Sequence, residues 1–292
     1  MTRIVTSLLA STAFIGLVTA AQAADMGSPL RGPAVVQPLT ESSSSGGWYL
    51  RGDVGLAIAG RPSLEDYDGG VPAGKSFIQR DMTDAPKIML GVGYQFNDYL
   101  RGDLTAEYMG SSRLRGTAIY DSTYSGLTSV NYQNYDTHIN AATFLANGYI
   151  DLGKYSGFTP YVGAGVGASY VYMGDVTSDN TAYIVSSTGN YPTPAERGIM
   201  GATGKWNFAW ALHTGMSWDV TQNFKVDMGY TYKNLGKVTS GNINCFSGAT
   251  GCNEQLTAKN LAFHDIHIGA RWMLDSAPAK TPVYSAPVVA KY

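Results

Sequence analysis

The chain has 292 residues, with 20 Lys and Arg against 22 Asp and Glu, a net charge of −2, and only 14% charged residues, where a soluble domain usually carries about a quarter. So little charge, with no Lys/Arg cluster interleaved with aromatics, excludes nucleic acid as a partner and a conventional charged soluble surface with it. Glycine (35) and tyrosine (20) are abundant instead, and beyond the N-terminus no stretch approaches the roughly 18 apolar residues of a transmembrane helix, so any membrane crossing is made by strands.

In chain order, Arg3 precedes an apolar run from Ile4 to Ala21 that leads into the small-residue site Ala21-Gln22-Ala23. A positive start, a short apolar centre and a small-residue exit predict a signal peptide over 1–23, with cleavage before Ala24. Residues 24–47 contain Pro, Ser and Gly without hydrophobic period and read as a flexible periplasmic linker.

From 48 to 274 the dominant signal is alternation. In the first predicted strand Trp48, Leu50, Val54, Leu56 and Ile58 alternate with Tyr49, Arg51, Asp53 and Ala57. A second sets Ile88, Leu90, Val92, Tyr94 and Phe96 against Lys87, Met89, Gly91, Gly93 and Gln95, and ends in a two-residue turn at Asn97-Asp98. A third sets Leu100, Leu104, Ala106 and Tyr108 against Arg101, Asp103, Thr105 and Glu107. Five more follow at about 137–152, 159–172, 206–220, 224–238 and 261–274.

The connections are long after the first, third, fifth and seventh strands and short at Asn97-Asp98, 153–158 and 221–223, the outer-membrane pattern of long extracellular loops and tight periplasmic turns. An even strand number returns both ends of the domain to the periplasm. Alternation alone also suits a soluble barrel with an apolar interior. The aromatics decide: Trp48, Tyr94, Phe96, Tyr108, Tyr170, Trp206, Trp218, Phe224, Tyr232 and Trp272 lie near strand ends on the apolar face, as interfacial girdles require. Backbone groups left unpaired in hydrocarbon cost several kcal/mol each, so the sheet must close. The expected fold is therefore all-β: a closed, antiparallel, eight-stranded transmembrane β-barrel. The Ala/Pro-rich residues 275–292 read as a C-terminal extension.

Three segments carry a family resemblance: Phe263-His264-Asp265-Ile266-His267-Ile268-Gly269-Ala270-Arg271-Trp272, then Phe158-Thr159-Pro160-Tyr161-Val162-Gly163-Ala164-Gly165-Val166-Gly167, and Met228-Gly229-Tyr230-Thr231-Tyr232. In order and spacing they resemble the eight-stranded outer-membrane proteins of alphaproteobacteria, the "porin family" relatives of the OmpA membrane domain. The resemblance runs from about Trp48 to Leu274 and implies an integral outer-membrane protein of a Gram-negative envelope.

By period two the inward face collects Arg51, Arg101, Lys225, Lys233 and Arg271 with Asp53, Asp103, Glu107, Asp227 and Asp265, both signs in nearly equal number. Eight strands enclose a space just wide enough for their own side chains, so a paired polar core is expected, with Arg51 and Arg101 pairing among Asp53, Asp103, Glu107 and Asp265. Arg-Gly-Asp occurs twice, but mid-strand, where Arg and Asp share the inward face and cannot serve as an adhesive loop tip. Of the four histidines, His138 and His264 fall near the extracellular rim, His213 lies mid-barrel and His267 faces inward. None sits in a Ser-His-acid pattern, and no phosphate loop or metal-ligand spacing appears, so neither catalysis nor a cofactor is expected. Cys245 and Cys252 lie in one polar loop of an exported chain and are expected to pair.

Three functions remain: a structural protein of the envelope, a narrow diffusion pore, and a surface adhesin or host-interaction protein. They are ranked in that order. The partners expected are outer-membrane lipid and lipopolysaccharide, the barrel-assembly machinery, and host or surface ligands met through the loops at Gly110–Asp136 and Met173–Lys205, which are rich in Tyr, Ser, Thr, Asn and Gly.

Overall fold

The computed structural model describes residues 46–68, 71–124, 126–245 and 254–274, and these contain strands and no helix. The chain runs from β1 (Gly47–Ala59) through β2 (Ser63–Asp68), β3 (Val71–Pro72) and β4 (Ser76–Met82) to β5 (Ala85–Gln95), β6 (Leu100–Tyr124), β7 (Leu127–Asp151) and β8 (Phe158–Met173). Then come β9 (Val176–Ser186), β10 (Gly189–Pro192), β11 (Glu196–Met200), β12 (Thr203–Asp219) and β13 (Phe224–Asn234). The last are β14 (Val238–Thr239), β15 (Ile243–Cys245), β16 (Glu254–Lys259) and β17 (Ala262–Met273).

All pairings are antiparallel. Eight strands (β1, β5, β6, β7, β8, β12, β13 and β17) cover the predicted ones. Each of them has two partners within the set: β1 pairs with β17 and β5, β6 with β5 and β7, β8 with β7 and β12, and β13 with β12 and β17. One face of this sheet is buried and polar, the other exposed and apolar. Along β1, Trp48, Leu50, Val54 and Leu56 are exposed while Tyr49, Arg51, Asp53 and Ala57 are buried. This inverts a soluble protein, in which the greasy face is hidden.

The short connections are built by side chains that stand in for backbone partners. Asn97 Oδ1 accepts from the backbone N–H groups of Tyr99 and Leu100, both at 2.8 Å, which widens the expected two-residue turn into one spanning 96–99. Between β8 and its predecessor, Gly153 and Gly157 take φ of 104° and 89°, a region closed to most side chains. The strand expected to reach 238 stops at Asn234, because Asn234 Oδ1 captures the N–H of Gly236, which turns with φ 85°.

The long connections depart most from expectation. Residues 110–136, read above as a loop, continue β6 and β7 as one hairpin of two 25-residue strands, shifted in register between Met109 and Ser112. Residues 173–205, also read as a loop, contain β9, β10 and β11, and β9 adds to the free side of β7. β4 pairs with the upper part of β6. A second sheet, β14-β16-β2-β3, lies in the same region. Together these form a folded head beyond the apolar band. Its core is apolar: Leu64 and Leu256 from the second sheet are buried with Leu114, Tyr135 and Ile139 of the hairpin and with Met173, Met200 and Phe263.

The stretches read above as loops are rich in Ser, Asn and Gly, which suit loops, but their Tyr and Thr favour strands, and pairing with neighbouring strands overrides the rest. The expected signal peptide (1–23), most of the linker, the extension (275–292) and Cys252 of the expected disulfide lie outside the described residues.

Candidate functional site

The buried face is layered along the strands. Nearest the short turns lies a charged cluster. Arg51 pairs with Asp53 and Asp103, both at 2.9 Å, and donates to Tyr149 Oη at 3.0 Å. Tyr49 donates to Asp103 at 3.1 Å. Arg271 pairs with Asp227 at 2.7 Å, and Ser217 bonds to both.

Arg101 does not join the expected carboxylates. Asp103 is already taken by Arg51, and Arg101 pairs with Asp151 of β7 at 3.1 Å while its guanidinium lies 4.3 Å from the centre of the Tyr149 ring and 4.6 Å from that of Tyr161. Such stacking suits a buried guanidinium, which is weakly hydrated and planar.

Above this layer sits a four-residue charge cluster. Asp265 bridges Lys87 at 2.6 Å and Lys233 at 2.8 Å, and Glu107 bridges the same two lysines. Glu107 and Asp265 thus serve lysines rather than the arginines expected. β6 and β13 are not hydrogen-bonded neighbours, so the Glu107–Lys233 contact means that the sheet curls upon itself. Between the layers His213 bonds Asn147 at 3.1 Å and Thr231 at 3.0 Å, and His267 is buried. Both line one small cavity with Arg51, Lys87, Glu107 and Lys233. Next comes the apolar core of the head, beginning with Met109, Ile139, Val171, Leu235 and Phe263. A charged layer and an apolar layer therefore fill the buried face in succession.

Of the residues expected in one network, Arg51, Asp53 and Asp103 meet, as do Glu107, Lys233 and Asp265, and Asp227 meets Arg271. Lys225 lies apart. It pairs with Asp219 at 3.0 Å beside the turn at 220–223, where water reaches and Lys154 competes for the same carboxylate. Lys87, Asp151, Tyr49, Tyr149 and Tyr161 were not assigned to the network. Lys87 had the right parity in the sequence. Tyr49 too had inward parity in the first strand, but alternation does not say which inward tyrosines join the charges; side-chain contacts do. Both Arg-Gly-Asp copies have buried Arg and Asp side chains. His264 lies on the other face against Tyr230 and Tyr232.

The head carries its own polar cluster, within stretches read above as loops. Lys75 pairs with Asp66 at 2.5 Å and Glu254 at 2.8 Å and donates to Gln133 at 2.7 Å, while Tyr135 donates to Asp66 at 2.6 Å. Burial pushes the Asp66 carboxyl above its ordinary range, and Lys75 offsets only part of that. Burial alone would lower Lys75, but Asp66 beside it holds the ammonium above its ordinary value. These contacts bind the second sheet to the β6–β7 hairpin.

On the exposed face two sets of aromatics stand apart. At the short-turn end are Trp48 against Tyr94 (5.3 Å), Phe158 against Trp218 (6.0 Å) and Phe224 against Trp272 (5.9 Å). At the head end are Tyr170 against Trp206 (5.3 Å) and Trp210 against Tyr232 (5.4 Å). Along β12 the twelve residue steps from Trp206 to Trp218, at about 3.3 Å each and tilted by about 40°, span about 30 Å, the thickness of a hydrocarbon layer.

The family described as "Outer membrane protein beta-barrel domain" matches residues 10–273. An uncharacterized protein of Brucella abortus (strain 2308) is 31% identical over 282 residues, covering 88% of this chain and 95% of its own. A candidate adhesin of Rickettsia conorii is 31% identical over 205 residues, covering 70% and 75%. The outer membrane protein PagN of Salmonella typhimurium is 27% identical over 225 residues, covering 71% and 82%. Among solved structures, OprG of Pseudomonas aeruginosa matches at 14% identity and a TM-score of 0.43, covering 78% of this chain and 96% of that one.

Proposed function

This chain belongs to the outer-membrane protein β-barrel family, and from that premise we propose that it is a sealed, closed eight-stranded barrel that anchors a folded recognition head at the cell surface. One observation carries the reading. The connections that a pore would leave as loops are built into a projecting β-sheet with its own core, over an interior filled first by charge pairs and then by apolar side chains. Closure is supported by the circuit of pairings, in which β6 and β7 join the two ends of the run from β7 through β8, β12, β13, β17, β1 and β5 to β6. Closure also leaves no edge in lipid. The head lies outside the cell and both ends of the barrel face the periplasm; Leu274 donates to the carbonyl of Trp48 at 2.8 Å, so they lie side by side.

The first-ranked structural role becomes the work of the barrel alone. A fully folded exterior domain is more than envelope integrity needs, and relatives include candidate adhesins. Attachment is tested by displaying the protein on a non-adherent Gram-negative host and replacing the hairpin tip, 117–131, with a short turn. Displaying cells should bind matrix-coated glass or epithelial monolayers above empty-vector cells, and the tip variant should lose that gain at equal surface level. No gain on any of these surfaces would contradict the recognition role.

A closed hydrogen-bonded ladder also resists detergent, so the mature protein, beginning at Ala24, should run faster on gels unboiled than boiled. Identical mobility would contradict closure. Protein from native envelopes should carry a Cys245–Cys252 disulfide; two alkylatable thiols by mass spectrometry would contradict it.

A further inference from the structure

The head carries a groove on its outer side, at the top of β7 and β9. It has a volume of about 600 Å³, in the range of small-ligand clefts, and is lined by Val130, Tyr132, Thr181, Tyr183, Val185 and Asn190. Ala142 of β7 is level with the girdle residues Tyr108 and Tyr170, and Tyr132 stands ten residues beyond it on the same face. At about 3.3 Å per residue and a tilt of about 40°, that is about 25 Å outside the apolar band, so lipid does not reach the groove. Register sets polar beside apolar groups in each row: Ile119, Tyr132 and Thr181, then Asp121, Val130 and Tyr183, then Thr128, Val185 and Asn190. The Tyr132 and Tyr183 rings stand nearly perpendicular with centres 6.4 Å apart, and they are 36% and 44% exposed. Among the described residues, the side chains of Asp121, Thr181 and Asn190 have no hydrogen-bond or ion-pair partner.

We propose that the groove binds an uncharged glycan, an inference that rests on the recognition role and names its ligand class. Three features select that chemistry. A sugar ring presents C–H groups on its faces and hydroxyls at its rim, so it needs apolar and hydrogen-bonding contacts side by side. Tyr132 and Tyr183 supply rigid ring surface at low entropic cost, Thr181 and Asn190 both donate and accept, and Asp121 accepts. A protein partner would instead need a dry apolar centre with polar groups kept to the rim, and here a polar side chain interrupts each row. Charge rejects a polyanion. Asp121 adds a negative charge beside the groove, and Arg197, one row nearer the membrane, is already paired with Asp179 at 2.6 Å.

The test presents the refolded mature protein, in detergent, to an array of immobilised neutral oligosaccharides ending in galactose, N-acetylglucosamine, mannose, fucose or glucose, with heparin as the anionic arm. The expected result is saturable binding to neutral chains and none to heparin. Tyr132→Ala and Tyr183→Ala should each weaken binding about tenfold, the loss of one ring contact, whereas Tyr183→Phe, which keeps the ring, should stay close to wild type. These positions are exposed, and unboiled gel mobility shows that each variant is folded. Heparin binding as strong as any neutral chain's, binding that neither alanine variant weakens, or no bound neutral glycan overturns the proposal. A second arm separates the ligand from the role. If displaying cells attach equally to epithelial monolayers before and after periodate, which cleaves the vicinal diols of sugars, the recognition role stands and the glycan falls; if they never attach, both fall.

Discussion

Asp265→Ala is expected to lower the unfolding free energy by about 3–5 kcal/mol, the range for removing one partner of a buried ion pair. Asp265 is fully buried and touches both Lys87 and Lys233. Its loss leaves two ammonium groups sharing Glu107 alone, in a layer where burial of an uncompensated charge is costly. The wild-type cluster is balanced at two charges of each sign, and the variant is not. Urea unfolding in detergent, followed by the fast and slow gel forms, reads the change. An Asp265→Ala barrel as stable as wild type would mean that the cluster is solvated and that water fills the interior. Asp265→Asn, which keeps the volume, should be nearly as damaging, and this separates charge from packing.

Phe263→Ala is expected to cost about 3–5 kcal/mol by a different route, the cavity left in an apolar core. Phe263 is fully buried and begins the apolar layer, with Lys233 Nζ 5.6 Å from its ring centre. It therefore marks the boundary between charged and apolar filling. Removing the ring should destabilise the head and the upper barrel together, because Met173, Met200 and Leu235 belong to the same core. Phe263→Leu should recover most of the loss, and Phe208→Ala, on the exposed face, should cost far less. Equal effects at 208 and 263 would contradict an apolar layer inside the strand ring.

The barrel strands were legible because lipid outside and a polar interior impose alternation, broken only by Gly52 and Gly102 at outward positions from Trp48 to Ile58 and from Leu100 to Tyr108. The girdles were legible for the same reason. Trp206 and Trp218 share a parity and are separated by one membrane thickness. Partner choice was not legible. Parity places Arg101 inside, but only the register of β6 against β7 brings Asp151 to it, while Asp103 goes to Arg51. Lys225 has the same parity as Asp227, yet its position beside a turn pairs it with Asp219 at a half-buried site away from the others.

The head was least legible. Its strands alternate between a face packed on a small core and a face of Tyr, Thr and Asn, so the contrast that marks a membrane strand is weak at Asn131-Tyr132-Gln133-Asn134. Lys75, Asp66 and Glu254 lie far apart in sequence, and no local pattern announces that they meet.

The claim that most needs testing is that the barrel is sealed, because the display reading depends on it. Purified, refolded protein in planar bilayers reads this directly. The filled interior predicts a silent membrane, with no conductance steps from the wild-type protein under voltages and salt at which porins conduct. Regular wild-type steps of fixed size would contradict the sealed anchor and make the chain a pore.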